Sequence, residues 1–421
     1  MTGTQLAVWA IAVGVTAGII LRPRGWPEAA WAVAGALLLV ATGLLPLPSA
    51  LHAVGRGLDV YLFLAGMMLV SELARREGLF EFLAARAVRS ARGSAGRLFL
   101  LVYGIGVAVT VFMSNDATAV VLTPAVYAAA RQAGARPLPY LLACAFIANA
   151  ASFVLPISNP ANLVIFGEQM PPLASWLGQF TLASIASIAV TYAVLRWSQR
   201  ADLRTAIAHD IAQPTLSPAG RLAGFGIAWL AAALLGASAI GAALGPVTLA
   251  VAVLVVAAVA WQRKASPAGL LKDVSWSVLA LVGGLFVIVQ ALEATGLVPL
   301  LADLLRRASA AAPSGAAWGS GIGVALLCNL VNNLPAGLLA GSVVAAADAA
   351  PLVRAAVVVG IDLGPNLSVT GSLATLLWLV AIRREGENVT AWQFLRVGAL
   401  AMPLALLAAL GALQLQQALA R

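Results

Sequence analysis

The stretch VFMSNDATAVVLTP, residues 111–124, decides how this chain is read. Most of it would suit hydrocarbon, yet Ser114, Asn115 and Asp116 stand together near its start. Polar groups are costly in hydrocarbon unless a partner or water satisfies them. Either the segment does not enter a membrane, or the cluster is put to use there. The rest of the chain favours use. Of 421 residues, 62% are hydrophobic and 10% charged, whereas a soluble domain carries about 25% charged residues. Apolar runs recur from end to end, each long enough to cross a hydrocarbon layer of about 30 Å. The expectation is an all-α polytopic membrane protein. The first run, Gln5 to Leu21, reads as a retained helix, because no basic segment precedes it and no small-residue cleavage site is evident.

Ten spans are expected, near 5–21, 28–48, 57–75, 138–167, 176–196, 222–241, 246–262, 275–294, 353–382 and 391–415. Two further apolar stretches, 98–131 and 317–347, carry polar residues at their middle and read as re-entrant hairpins with tips near Asn115 and Asn332. Arg97 opens the first stretch, and Arg131 and Arg136 close it. Cytoplasmic segments collect basic residues, so both of its ends prefer the same side. With the N-terminus outside, all of the 25 Lys and Arg except Arg56, Arg306, Arg307, Arg354 and Arg421 face the cytoplasm. The net charge of +9 is then a record of topology and of an anionic leaflet, not of nucleic-acid binding. The arginines of FLAARAVRSARGSAGR, residues 82–97, suit an interfacial helix against membrane lipids. Glu72 is spaced to pair with Arg75 and Arg76. Trp26, Trp31 and Trp176 suit an aromatic belt. Cys144 and Cys328 read as small buried hydrophobes. With His52 and His209 the only histidines and no CxxC pair, no metal or other cofactor is expected.

Weak self-similarity joins the two halves. EGLF (77–80) matches TGLV (295–298), NDATA (115–119) matches NNLPA (332–336), and SNPANLVIF (158–166) matches GSLATLLWL (371–379), in the same order and at nearly one offset. The expected organisation is a first repeat, 1–197, with hairpin 98–131 and broken helix 138–167; a cytoplasmic linker, 198–221; and a second repeat, 222–421, with hairpin 317–347 and broken helix 353–382. The expected topology makes the repeats inverted, as in many secondary transporters. Irregular backbone at membrane depth is tolerated where protein buries it or a watery cavity lines it. The hairpin tips and helix breaks are therefore the expected midplane site.

These motifs resemble the bacterial arsenite efflux permeases, the ArsB family of the ion transporter superfamily. The carrying stretches are FMSNDATAVVLTPAV, AFIANAASFVLPISNPANLV, NNLPAGLL and, most specifically, GIDLGPNLSVTGSLATLLWL. The likeness runs from about Trp26 to Gly411. SNDAT and SNPAN depart from the common family forms NNDGT and SNLVN but keep polar ligands in place. The resemblance implies export of arsenite, and of antimonite, across the bacterial cytoplasmic membrane in exchange for protons. It also implies a scaffold domain and a mobile transport domain, with room for a homodimer and for a separate ATPase subunit.

Arsenite near neutral pH is largely the uncharged trihydroxide, which needs hydrogen-bond donors and acceptors rather than a basic clamp. The expected pocket is Ser114, Asn115, Thr118, Ser158, Asn159, Asn162, Asn332, Asn333 and Thr370. Asp116 and Asp362 are the only acids in the polar breaks, and the repeat aligns them with Asn333 and Asn149. Each is a candidate proton carrier. The alternatives are that Asp116 caps the second limb of its hairpin and that Asp362 serves the helix break. A transporter of another small oxyacid or anion, such as silicic acid or a carboxylate, would reuse the same frame. A passive channel lacks a continuous polar face. A membrane-embedded enzyme lacks support, since the chain has no HExxH pair, GxSxG serine or nucleotide-binding glycine loop.

Overall fold

A computed structural model describes residues 2–167, 170–208 and 214–419. Part of the expected linker (209–213, with His209) and Arg421 lie outside the described residues. The first half builds α1 (Gly3–Leu21), α2 (Glu28–Ala41), α3 (Leu47–Arg56), α4 (Leu58–Arg76) and α5 (Leu79–Ser90). Then follow α6 (Ala95–Phe112), a π-helical turn (Ala117–Leu122) continuing into α7 (Thr123–Gln132), α8 (Leu138–Ala150), α9 (Pro160–Phe166) and α10 (Leu173–Ser198). The second half builds α11 (Pro218–Ala239), α12 (Leu244–Arg263), α13 (Ala268–Asp273), α14 (Ser277–Ala294) and α15 (Leu297–Ala311). It ends with α16 (Pro313–Val331), α17 (Asn333–Ala346), α18 (Pro351–Leu363), α19 (Leu373–Arg384) and α20 (Ala391–Leu419). Helices satisfy every interior backbone group within the segment, which is what an apolar surrounding demands.

Among the described residues, eight helices are long and apolar enough to cross a membrane, and α3 with α4, bent by 49°, would make a ninth. Six of the ten expected spans are single helices of this kind, α1, α10, α11, α12, α14 and α20, and 57–75 is α4 of the bent pair. The span at 28–48 holds only the 14-residue α2. The stretches 138–167 and 353–382, expected as broken helices, divide into the short pairs α8–α9 and α18–α19, because Pro156, Pro160 and Pro365 interrupt helical hydrogen bonding. Conversely α6 and α16, the first limbs of the two hairpins, have 18 and 19 residues and are as long as spans, about 27 Å at 1.5 Å per residue.

Basic segments gather on one face. Arg263 pairs with Glu77 at 3.0 Å and Arg136 with Asp202 at 2.8 Å. Arg76 bonds to both Glu72 and Asp273, and the Tyr127 hydroxyl donates to the Glu385 carbonyl at 2.9 Å. Both ends of the 98–131 stretch dock on this face against one short segment. The Ile207 N–H donates to the Gly93 carbonyl at 3.0 Å, and the Ala208 N–H to the Ala133 carbonyl at 2.8 Å. The stretch therefore turns back on itself. On the other face, Arg56 donates to Gln290 at 2.7 Å and lies 3.5 Å from Glu293, which also accepts from Ser342.

Of the three belt tryptophans, Trp26 is exposed and Trp31 half-buried. Trp176 is a correction: it is 0% exposed, donates to the Phe153 carbonyl at 3.1 Å and packs on Phe180 with ring centroids 4.4 Å apart. It locks α10 to the break of the first half and does not meet a membrane surface.

Candidate functional site

The four breaks meet. A small cavity of about 10 Å³ is lined by Asn115 and Asp116 from the first hairpin, Asn159 and Pro160 from the first broken helix, Asn333 and Leu334 from the second hairpin, and Leu373 and Ala374 from the second broken helix. Leu64 and Val278 complete it. Four helical starts converge there: the π turn leading to α7, and α9, α17 and α19. Each start leaves amide N–H groups without intrahelical partners, and each has a polar side chain that takes one of them. Ser114 Oγ accepts from Ala117 at 3.2 Å and Asn159 Oδ1 from Ala161 at 3.0 Å. Asn332 Oδ1 accepts from Leu334 at 3.4 Å and Ser372 Oγ from Thr375 at 3.1 Å. Asp116 does not cap: its carboxylate makes no capping bond, and Ser114 takes that role.

The nine expected pocket residues divide by where their polar atoms point. Asn115, Asn159 and Asn333 line the site cavity, and the buried Asn333 Oδ1 has no partner there. Ser114 lines a second cavity next to it. Asn332 and Thr370 brace each other, Asn332 Nδ2 donating to the Thr370 carbonyl at 3.3 Å. Thr118, Ser158 and Asn162 turn away into the protein. Thr118 shares a hydrogen bond with Thr110 at 2.8 Å, Ser158 Oγ donates to the Val111 carbonyl at 3.2 Å, and Asn162 Nδ2 donates to the Ser152 carbonyl at 2.9 Å. These three shape the backbone around the site, while their side chains line none of the cavities described here.

A polar network outside the expected set ties the two broken helices together. Asn149 Nδ2 donates to Asn366 Oδ1 at 3.0 Å and to Thr375 Oγ1 at 3.3 Å, and Ser372 Oγ donates to Asn149 Oδ1 at 3.4 Å. Asn159 Nδ2 donates to Asp362 Oδ1 at 2.6 Å. In the repeat alignment expected from the sequence, Asn149 matches Asp362 and Asn159 matches Ser372, so the two contacts fall at corresponding positions of that alignment. The signal for Ser372 was present in that alignment, whereas Asn366 and Asn329 carried none. Asn329 Nδ2 donates to the Gly364 carbonyl at 3.0 Å and its Oδ1 accepts from Ser368 at 2.7 Å, which holds the second break against α16.

Two larger cavities flank the site. One, of about 110 Å³, runs from Ser114 and Asp116 to Glu72 and Asp273 on the basic face. The other, of about 780 Å³, lies on the opposite face and includes His52, Arg56, Asp59 and Glu293 in its wall. It is bordered by Val60, Val164 and Leu338, each four residues, or about one helical turn, from the Leu64, Pro160 and Leu334 that line the site. The site is a constriction between two cavities. Among the described residues, no Lys or Arg lines it.

Comparison with known proteins follows from this geometry. A family model described as citrate transporter (CitMHS) matches residues 15–360. An arsenical pump membrane protein of Escherichia coli is 27% identical over 397 residues, covering 90% of this chain and 91% of that protein. One from Yersinia enterocolitica is 28% identical over 344 residues, covering 79% and 80%. The resemblance seen in the motifs thus extends over most of the chain. Among solved structures, the Alcanivorax borkumensis YdaH transporter superposes with a TM-score of 0.57 at 16% identity, covering 88% of each chain, a likeness of fold alone.

Proposed function

We infer the function from one premise: the chain belongs to the citrate transporter (CitMHS) family. It is a multi-pass membrane transporter and not an enzyme. Within that frame we propose that it exports arsenite, and with it antimonite, from the bacterial cytoplasm in exchange for protons. The observation that carries this reading is the chemistry of the constriction, which three asparagines and one acid line without any Lys or Arg. A tricarboxylate there would meet Asp116 with no compensating cation, and unpaired like charges in a low-dielectric site are strongly unfavourable. An uncharged trihydroxy solute meets amide donors and acceptors it can use. The whole-chain similarity to arsenical pump membrane proteins supports the same substrate. The matched contacts Asn149–Ser372 and Asp362–Asn159 support an organisation in two inverted repeats, with the site on their pseudo-twofold axis. Asp116 and Asp362 are the acids available for proton coupling.

The cavity at the constriction is about 10 Å³, room for roughly one water. Binding therefore requires the hairpin tips and helix breaks to part. Everted vesicles with an imposed pH gradient, acid inside, test the reading. Arsenite should accumulate inside and citrate should not. Accumulation of citrate in place of arsenite would make the carboxylate transporter the right assignment.

A further inference from the structure

The two acids have different surroundings. Asp116 lines both the constriction and the cavity that leads to the basic face. Its carboxylate forms no hydrogen bond or ion pair among the described residues, while its N–H is held by Asn115 Oδ1 at 2.9 Å. Asp362 is 0% exposed and lines none of the three cavities. Its Oδ1 accepts from Asn159 Nδ2 at 2.6 Å, and its Oδ2 is buried without a partner. Asn159 in turn starts α9 through its Oδ1. Both ends of the Asn159 amide are therefore fixed, one by Asp362 and one by the helix it caps.

We infer that Asp116 is the group that exchanges a proton with water on the basic face, and that Asp362 is a positioning residue that orients Asn159 in the site. This deepens, and rests on, the proton-coupled reading above. In the state open to the basic face, the Asp116 carboxyl releases its proton to cavity water and the substrate enters. In the state open to the other face, the substrate leaves and the carboxylate takes up a proton. Only the O–H bond of one carboxyl breaks and re-forms. The other titratable groups in that cavity are Glu72 and Asp273, and both are engaged: Glu72 by Arg75 at 2.8 Å and Arg76 at 3.2 Å, Asp273 by Arg76. The remaining walls bring Pro160 from α9, Val278 from α14 and Leu377 from α19, none of them titratable. Behind the hairpin, α8 carries the buried Cys144 beside Thr123. Asp362 lines none of these cavities, and its hydrogen bond restrains Asn159, a neighbouring ligand.

Two measurements test the assignment. Dicyclohexylcarbodiimide adds to protonated carboxyls and needs no transported substrate. In everted vesicles of the wild-type protein, peptide mass spectrometry should find Asp116 modified and Asp362 unmodified, with modification of Asp116 falling as the external pH rises. Modification at Asp362 alone, or at neither acid at low pH, overturns the inference. In the transport assay, Asp116→Asn should lose pH-driven arsenite accumulation yet keep downhill arsenite exchange. Asp362→Asn should keep pH-driven accumulation with a several-fold higher KM. The reverse pattern overturns the inference. Wild-type vesicles that move no arsenite under any gradient would remove the substrate assignment instead, leaving the carbodiimide labelling to decide between the two acids.

Discussion

Asn332 begins α17 with φ 73° and ψ 154°, a backbone region that side chains other than glycine's rarely enter. Such an outlier costs about 1–3 kcal/mol and persists where the surroundings over-determine it. Here Asn332 Nδ2 donates to the Thr370 carbonyl, and the Asn333 N–H donates to the Gly371 carbonyl at 2.9 Å. Asn332→Gly removes the strain and the cap together, whereas Asn332→Ala removes the cap and keeps the strain. The glycine variant should therefore be more stable than the alanine variant, by about 1 kcal/mol or more, while both transport poorly. Thermal unfolding in detergent measures the first effect and vesicle uptake the second. Thr118 makes a contrasting case. Valine matches threonine in shape, so Thr118→Val strands the Thr110 hydroxyl at a cost of about 1–3 kcal/mol, and the double exchange Thr110→Val with Thr118→Val should cost less than the two single changes combined. The double variant should retain arsenite transport, because the pair faces α6 and not the site. From the sequence, Thr118 and Asn115 were indistinguishable. Both are polar residues in an apolar run, and only the turn of the hairpin decides which of them looks into the cavity.

At the scale of elements, the sequence made the breaks legible, because polar and proline residues inside apolar runs demand a non-helical explanation. The hairpin of α6 with α7 followed from arginines at its two ends. The lengths were less legible. A count of apolar residues cannot tell that α2 stops at Ala41 and that the amphipathic α3 begins only at Leu47, since hydropathy does not encode where a chain bends. The crossing of α16 and α18 was likewise hidden. A Cβ on Gly360 would lie 2.3 Å from the Gly321 carbonyl oxygen, and one on Gly364 would lie 2.4 Å from that of Ala325. Small residues four apart on both helices let the backbones touch, and close packing of this kind stabilises helix pairs in lipid. The crossing holds α18, with Asp362, against the first limb of the second hairpin. Gly360→Leu should therefore reduce the yield of monodisperse protein sharply. Gly104→Leu on α6, where a Cβ meets nothing within 4 Å, should leave it unchanged. Fluorescence size-exclusion profiles of the two variants test the comparison.

For the whole molecule, α4 links the cavities. Leu58 to Leu62 border the large cavity, Leu64 the constriction, and Met67 to Glu72 the small cavity on the basic face. Of the polar cluster at 114–116, Asn115 and Asp116 line the constriction, and Ser114 and Asp116 line the small cavity. Alternating access requires water to reach the site from either face but not from both at once. The distribution of basic residues assigns the faces, because positive charge collects on the cytoplasmic side. Single cysteines report this directly, since Cys144 and Cys328 are buried and should give little background. In right-side-out vesicles a membrane-impermeant maleimide should modify Ser342→Cys, in the large cavity, and spare Ser275→Cys, in the small one. Everted vesicles should reverse the pattern. Saturating arsenite should protect a cysteine at Ser114, where the small cavity meets the constriction, more than one at Ser275 near its mouth. Equal labelling of both cavities from one face would place them on the same side and remove the constriction from the transport path.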